Sequence, residues 1–125
     1  RIGMNSRLDT IQAAILIEKL AEFPKELHAR NMHAEKYSKQ YEGLFETPQV
    51  PEGYSSSWAQ YTLKADNRDV AISEFSAKGI PTAIYYKKCL HQQIAFEYLN
   101  YSDEDVPVAS SLAKKVFSLP MHAYL

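Results

Sequence analysis

The chain has 125 residues, of which 46% are hydrophobic and 23% are charged, and its formal net charge at pH 7 is −1. These values predict one soluble domain with a modest core, and they argue against nucleic acid or an anionic membrane as the partner. The longest apolar run, Ala13–Ile17, is far too short to span a membrane, and no signal peptide is visible. The single cysteine, Cys89, excludes an internal disulfide and fits a reducing compartment.

The first element is a predicted helix from about Leu8 to Phe23, in which apolar residues recur three to five positions apart. Asn5 or Ser6 is the expected N-cap, and Asp9 lies in the first turn, where the helix dipole favours an acid. Together these features predict an amphipathic helix with a polar, tightly turned start.

Pro24 follows this helix and predicts a break or a kink in it. A second helix is expected from about Lys25 to Leu44, with Gly43 as a plausible stop signal. Two long helices that meet at a proline would form an αα unit with one shared apolar face. That face is wide enough to pack both on the domain and on a partner.

Residues 45–57 contain two prolines, a glycine and three serines, and they are predicted to be a connection. Trp58–Ala65 alternates as a strand does. Asp66 and Asn67 end this strand, and they can cap a helix over Arg68–Lys78, which stops at a glycine followed by a proline.

The remainder of the chain is expected to add two strands and two short helical turns. Thr82–Tyr86 is β-branched and aromatic and predicts a second strand, and Phe117–Leu119 predicts a last short one. Helical turns are expected around residues 93–99 and 106–116. Helices segregated against a few strands indicate an α+β domain.

Five segments of this chain together resemble one protein family. The first, N-S-R-L-D-T-I-Q-A-A-I-L at 5–16, resembles the signature that follows the lysine domain of the DegT/DnrJ/EryC1/StrS nucleotide-sugar aminotransferases. The others are W-A-Q-Y-T-L (58–63), G-I-P-T-A-I-Y-Y (79–86), C-L-H-Q-Q (89–93) and F-S-L-P-M-H-A-Y-L (117–125). They occur in the family's order and spacing and cover essentially the whole chain.

The resemblance implies a fold and an activity. Residues 1–125 would be the C-terminal small domain of an aspartate-aminotransferase-like, fold type I enzyme. That domain would have two long N-terminal helices and a small, mostly antiparallel sheet with helices on one face. The implied protein is a cytoplasmic homodimer that uses pyridoxal 5'-phosphate to move an amino group from glutamate to a nucleotide-linked keto-sugar. The family's products enter surface polysaccharides such as lipopolysaccharide, and also capsules, glycoproteins and antibiotics.

Asn5 and Arg7 could be a helix cap and a surface arginine, but a helix start with an amide and a guanidinium also suits an anion. The resemblance implies that Asn5 reaches across the dimer interface to the cofactor phosphate held by the neighbouring subunit. It further implies that Arg7 faces the sugar, and that in relatives using a uronic acid this arginine meets the sugar carboxylate.

Tyr85 and Tyr86 could be ordinary packing residues, whereas the resemblance makes them substrate-facing. In relatives that handle keto-glucuronic acid sugars, this position reads His-Tyr-Pro. The present chain has Tyr85, Tyr86 and Lys87. The departure weakens the uronic-acid assignment and leaves room for a neutral keto-sugar such as a 6-deoxy-4-keto-hexose. Lys87 or Lys88 could serve the diphosphate, although exposed lysines are more often solvated surface.

No metal site is expected, because the four histidines are not clustered at ligand spacing; His28 and His33 are five residues apart. His91 and His122 match family motif positions and are interpreted as structural residues that support the site. Cys89 is interpreted as a buried thiol.

The residue that would do the chemistry is absent from this stretch. A transaminase of this kind needs a Schiff-base lysine, and none of the ten lysines here lies in a setting that resembles the family's site. The resemblance puts that lysine upstream, in a large domain. We therefore interpret the chain as part of a longer protein, assign no catalytic residue to it, and expect residues 1–125 alone to be inactive.

Two alternatives remain open. Some members of this fold have lost the lysine and act as sugar dehydratases that hold the cofactor without a covalent bond. A non-enzymatic interaction domain that dimerises through its long helices is the second alternative.

Overall fold

The structure is a computed structural model that describes residues 6–125 of the chain. Its elements are α1 (Thr10–Tyr41), β1 (Tyr61–Lys64), α2 (Arg68–Ala77), the short 3₁₀ helices η1 (Leu90–Gln92) and η2 (Ile94–Leu99), α3 (Pro107–Lys115) and β2 (Val116–Leu119). The two strands form one antiparallel sheet, which confirms the predicted α+β class. Within residues 6–125, no helix is long and apolar enough to cross a membrane.

Pro24 does not break the helix, and the predicted boundary between two helices is wrong, because one helix of 32 residues runs from Thr10 to Tyr41 with the proline inside it. A proline within a helix removes the hydrogen bond from its own nitrogen to the carbonyl four residues earlier, which here belongs to Leu20. Both Leu20 and Pro24 are exposed, so water can bind the carbonyl that the proline leaves free. The expected pair of helices and their αα unit are therefore a single helix.

The start of α1 also differs from the prediction, because Asp9, rather than Asn5 or Ser6, is the N-cap. The Asp9 Oδ1 atom accepts a hydrogen bond from the backbone nitrogen of Gln12 at 2.8 Å. This bond satisfies one of the amides that the first helical turn leaves unpaired. The carboxylate is also favoured by the positive end of the helix dipole.

The sheet has one buried face and one polar face. Buried residues of the two strands lie opposite each other in the pairs Tyr61–Leu119 and Leu63–Phe117. Because side chains alternate along a strand, these four share one face. On the other face Thr62 lies opposite Ser118, and their hydroxyl oxygens are 2.8 Å apart.

The C-terminal half of α1 and all of α2 cover the buried face with aromatic rings. The ring of Phe75, on α2, lies 5.6 Å from that of Phe117 and 5.5 Å from that of Tyr41. Tyr37 lies 5.2 Å from Tyr61, and all these separations fall in the usual range for aromatic pairs. Burial raises the pKa of the Tyr61 hydroxyl. The core therefore belongs to α1, α2 and the sheet.

The predicted strand at Thr82–Tyr86 is wrong, because only Ala83 pairs with the sheet. Ala83 donates to the carbonyl of Ser118 at 3.0 Å and accepts from the Ser118 amide at 2.8 Å. Tyr85 and Tyr86, the aromatic residues that suggested a strand, are exposed instead of packed. The chain therefore touches the edge of β2 once and then leaves it.

The bounds of α2 agree with the prediction to within one residue. The Asn67 side chain caps it by accepting from the backbone nitrogen of Val70 at 3.3 Å. Gly79 ends it with a φ of +71°, a conformation that glycine adopts readily. The closing bonds of a Schellman motif, both 2.9 Å long, run from the Gly79 amide to the Ser76 carbonyl and from the Ile80 amide to the Phe75 carbonyl.

Candidate functional site

The two residues predicted at the start of α1 have different outcomes. Asn5 lies outside the described residues, so its predicted role stays a prediction. Arg7 is exposed and lies two residues before the N-cap Asp9. Among residues 6–125, its guanidinium forms no ion pair. Arg7 is thus accessible to an anion beside the positive end of a long helix.

Tyr85 and Tyr86 lie on the surface, where their side chains are 58% and 72% exposed. The residue before them, Ile84, packs against the core, and the two that follow, Lys87 and Lys88, are exposed. No hydrogen bond joins Arg7 to either tyrosine within the part of the chain that the structure describes. The structure therefore presents the predicted substrate-binding residues as two separate surface groups.

A cluster of hydrogen bonds around one carboxylate lies just after the tyrosines along the chain. The Oδ1 atom of Asp103 is 2.7 Å from Nε2 of Gln92, 2.9 Å from Nε2 of His91 and 3.1 Å from Oγ of Ser110. Its Oδ2 atom lies 3.5 Å from Nζ of Lys114. We call these five residues the Asp103 cluster. It joins η1 to α3.

These contacts hold Asp103 in its ionised form. The hydrogen bond from His91, then those from Gln92 and Ser110 and the charge of Lys114, lower the pKa of the Asp103 carboxyl to about 2. An ionised carboxylate only accepts hydrogen bonds, so Nε2 of His91 carries the hydrogen in this pair. His91, whose side chain is 9% exposed, is therefore fixed in orientation and protonated at a known nitrogen.

A second carboxylate stabilises the turn that carries Asp103. Asp105 Oδ2 accepts from the backbone nitrogen and from the hydroxyl of Ser102, both at 2.8 Å. These bonds lower the pKa of Asp105, and the charge of His91 contributes in the same direction. Residues 102–105 are thus locally ordered before α3 begins.

The remaining candidates have simpler environments. His122 is exposed, and its Nδ1 accepts from the backbone nitrogen of Tyr124 at 3.2 Å. His91 contacts Asp103, and its predicted support of the site stays a prediction. Cys89 is a free thiol, but it is only partly buried, which corrects the expectation of a buried one. Its position as N-cap of η1 leaves the side chain near the surface.

Within the described residues no three metal-binding side chains cluster.

The grooves of the molecule lie away from the predicted residues. One of about 760 Å³ lies between the end of α1, β1 and α2, and Tyr41, Phe45 and Phe75 form part of its lining. Another, of about 440 Å³, is lined in part by Tyr54 and Trp58. Arg7 and the two tyrosines line neither groove. The described residues place these three side chains on open surface.

Asp103 is the residue that the sequence reasoning missed. The pair His91-Gln92 and the acidic run Ser102–Asp105 were visible, but they are 11 to 12 residues apart and share no periodic pattern. A polar pair before an acidic turn is the signal that could have suggested the contact. Only the folded structure shows that these two segments meet and which acid accepts the hydrogen bonds.

The model of the DegT/DnrJ/EryC1/StrS aminotransferase family matches residues 1–125. A relative from Pseudomonas aeruginosa, a UDP-2-acetamido-2-deoxy-3-oxo-D-glucuronate aminotransferase, is 41% identical over 100% of this chain and 34% of its own length. A UDP-N-acetyl-3-dehydro-alpha-D-glucosamine 3-aminotransferase from Acidithiobacillus ferrooxidans is 36% identical over 96% of this chain and 32% of its own.

Among solved structures, a DegT DnrJ EryC1 StrS aminotransferase from Brucella abortus is 46% identical, with a TM-score of 0.88. The match covers 100% of this chain and 34% of that one. The present chain therefore spans about a third of the length of the relatives that it matches.

Proposed function

The chain belongs to the DegT/DnrJ/EryC1/StrS aminotransferase family, and from this premise we propose that it is the C-terminal part of a nucleotide-sugar aminotransferase. The observation that carries the proposal is the match of the family model over all 125 residues. The proposed enzyme is a cytoplasmic homodimer. It transfers an amino group from glutamate to a keto carbon of a nucleotide-linked sugar, for a surface polysaccharide.

Pyridoxal 5'-phosphate is the proposed cofactor, and its residues here would be those at the start of α1. The exposed Arg7 guanidinium and the N-terminus of a 32-residue helix form a donor set that suits a phosphate or carboxylate. Asn5 would bind the cofactor phosphate across the dimer interface. When bound, the cofactor supplies the electron sink for amino transfer. The lysine that attaches it would come from the preceding domain.

The substrate-binding role belongs to Arg7, Tyr85 and Tyr86. Exposed phenol hydroxyls donate and accept hydrogen bonds, which suits the hydroxyl groups of a sugar. The guanidinium of Arg7 suits an anionic group on the sugar or its diphosphate. The Pseudomonas relative is named for an acidic sugar and the Acidithiobacillus relative for a neutral one. Both are 3-keto sugars, and we propose a keto-sugar of either charge as the substrate.

The exposure of these three side chains supports a site shared between subunits. Each lies on open surface instead of in a pocket of its own chain. A binding site for a small molecule is normally concave. The missing wall would come from the partner subunit's large domain.

The test uses the complete protein. We expect glutamate to convert the bound pyridoxal phosphate to its amino form, seen as a change in the visible absorption band, with release of 2-oxoglutarate. The two 3-keto sugars named for the relatives would then accept the amino group, with the product identified by mass spectrometry. Absence of any cofactor band, or of 2-oxoglutarate, would overturn the proposal.

Borohydride treatment separates the transaminase from the dehydratase. In a transaminase it attaches the cofactor covalently to a lysine of the protein. A protein that binds the cofactor but is never labelled would instead belong to the lysine-less branch.

A substitution at Arg7 tests the substrate role. Arg7→Ala should raise the KM for the sugar nucleotide about tenfold, as expected when a charged hydrogen bond is lost, and leave the KM for glutamate within about twofold. Lys36→Ala is the matched control, because it removes one positive charge from an exposed side chain of α1. Equal effects on both substrates would show that Arg7 is only structural.

A further inference from the structure

The two exposed tyrosines lie on a short stretch of chain that is fixed at both ends. Ala83, just before it, forms two backbone hydrogen bonds with Ser118 of β2, 3.0 and 2.8 Å long. Cys89, just after it, donates its backbone N–H to Oε1 of Gln92 at 3.0 Å. Residues 84–88 therefore have little freedom to shift as long as both anchors hold. The first anchor is part of the sheet, whereas the second depends on side chains.

The second anchor is held by Asp103. The amide group of Gln92 uses its oxygen to hold the Cys89 backbone and its nitrogen to donate to Asp103 Oδ1 at 2.7 Å. Gln92 is thus a bridge between the end of the tyrosine segment and the carboxylate. His91 donates to the same oxygen at 2.9 Å and keeps η1 against it.

The carboxylate is in turn fixed from the side of α3. Ser110 is 4% exposed and donates to Oδ1 at 3.1 Å, and Lys114 faces Oδ2 at 3.5 Å. Asp105 holds the same turn through Ser102. Hydrogen bonds to a charged acceptor are stronger than those between neutral groups. Several of them on one carboxylate hold it in a single geometry. The position of η1 relative to α3 is therefore set at this one side chain.

We propose that Asp103 is a positioning residue for the sugar nucleotide: through Gln92 and His91 it holds the end of the segment that presents Tyr85 and Tyr86. The proposal rests on the proposed function. Asp103 does not touch the substrate, and its effect is on where the two hydroxyls lie. Loss of the carboxylate frees residues 84–92 and weakens binding of the sugar nucleotide, while binding of glutamate, in which the proposed function gives the tyrosines no role, is unaffected.

The experiment compares Asp103→Ala and Asp103→Asn with Glu104→Gln in the complete enzyme. Glu104 is the neighbouring exposed acid, so its amide variant removes one negative charge from the same turn without touching the cluster. Asp103→Ala should raise the KM for the sugar nucleotide about tenfold, with kcat and the KM for glutamate within about twofold. Asp103→Asn, which keeps an acceptor oxygen, should fall between Asp103→Ala and the wild type.

Hydrogen exchange provides a readout that does not depend on turnover. Peptides covering residues 84–92 should exchange faster in Asp103→Ala than in the wild type, and Glu104→Gln should match the wild type. Unchanged exchange in Asp103→Ala would show that the carboxylate is not the anchor. Faster exchange with an unchanged KM for the sugar nucleotide would overturn the positioning role.

The two proposals fail in different ways. If the wild-type protein transaminates no keto-sugar, the proposed function is wrong, whatever the exchange data show. If the wild type is active but Asp103→Ala lowers kcat, or raises the KM for both substrates equally, the residue is merely structural and the positioning role is overturned.

Discussion

The two halves of α1 both contain apolar residues but have opposite surroundings. After Pro24 the helix buries Ala34 and Tyr41 and packs Tyr37 on the core. Before it, every side chain from residue 6 to 23 except Ala13 is exposed. The C-terminal half has its apolar residues on one stripe, whereas Ile15, Leu16 and Ile17 are consecutive and point in three directions.

The difference indicates that the two halves of one helix suit different neighbours. A helix that is apolar on one face needs one neighbour, and a helix that is apolar all round needs cover on more than one side. This chain's own core explains the C-terminal half completely. Under the proposed function, the rest of the enzyme covers the N-terminal half.

The largest expected effect belongs to the packed side of this comparison. Phe117→Ala should lower the free energy of unfolding by about 3–5 kcal/mol, because the ring is 1% exposed and its loss leaves a cavity. Ile11→Ala, on the exposed half, should change it by less than about 0.5 kcal/mol in this chain. Urea denaturation measures both changes. Similar losses of unfolding free energy would contradict the conclusion that the N-terminal half of α1 packs on nothing in this chain.

A smaller effect is expected from a polar contact of the packed half. Asn31 Oδ1 accepts the indole N–H of Trp58 at 2.7 Å. Asn31→Ala leaves that N–H unpaired, which should cost about 1–3 kcal/mol of unfolding free energy. In a Trp58→Phe background the same substitution should cost less, and an equal cost would show that the contact does not couple the two residues.

The cap of the exposed half is expected to contribute about 1 kcal/mol or less. Asp9→Ala removes the acceptor for the Gln12 amide, a loss that typically costs about 1 kcal/mol of helix stability. Because this half packs on nothing in the described chain, the change should appear as faster amide exchange at residues 10–13 with little change in global unfolding. Asn67→Ala, at the cap of α2, is the comparison that should lower global stability.

The smallest expected effect on α1 comes from lowering the pH, because the carboxylate that responds, Asp103, lies outside this helix. The pKa of Asp103 in the folded protein is about 2, below its ordinary value of 3.8, so the stability it contributes is complete above about pH 5 and is lost as the pH falls through about 2. The Asp103 cluster should open in that range before either half of the helix melts. Asp103→Asn should weaken this pH dependence. Asp105 and Asp66, whose pKa values are also lowered, should preserve part of it.

The sequence predicted correctly those elements whose ends are set by their own residues, such as capping side chains and helix-ending glycines. Asn67 and Gly79 mark the two ends of α2 and act there through their own backbone and side-chain geometry, so their positions could be read directly. The alternation over Trp58–Ala65 predicted a strand where β1 lies, although β1 is shorter and covers only Tyr61–Lys64. These predictions needed no knowledge of the rest of the fold.

The predictions that were wrong or missing concern features that depend on contacts with distant parts of the chain or with solvent. Pro24 predicts a break or a kink, but the helix continues through it, and water can bind the carbonyl of the exposed Leu20. Tyr85 and Tyr86 predict a strand, but no second partner extends the Ala83 contact. The Asp103 cluster joins residues from separate elements, and nothing local indicates which acid of the run meets His91.

The single-residue bridges at the sheet have a consequence for how the protein behaves at high concentration. Glu46 pairs with Lys64 on the outer edge of β1, and Ala83 pairs with Ser118 on the outer edge of β2. Each bridge interrupts a row of backbone groups that would otherwise be free to pair with another chain. In the described residues, neither four-residue strand offers a long uninterrupted template. The sheet should therefore be a poor seed for edge-to-edge aggregation, even though it has only two strands.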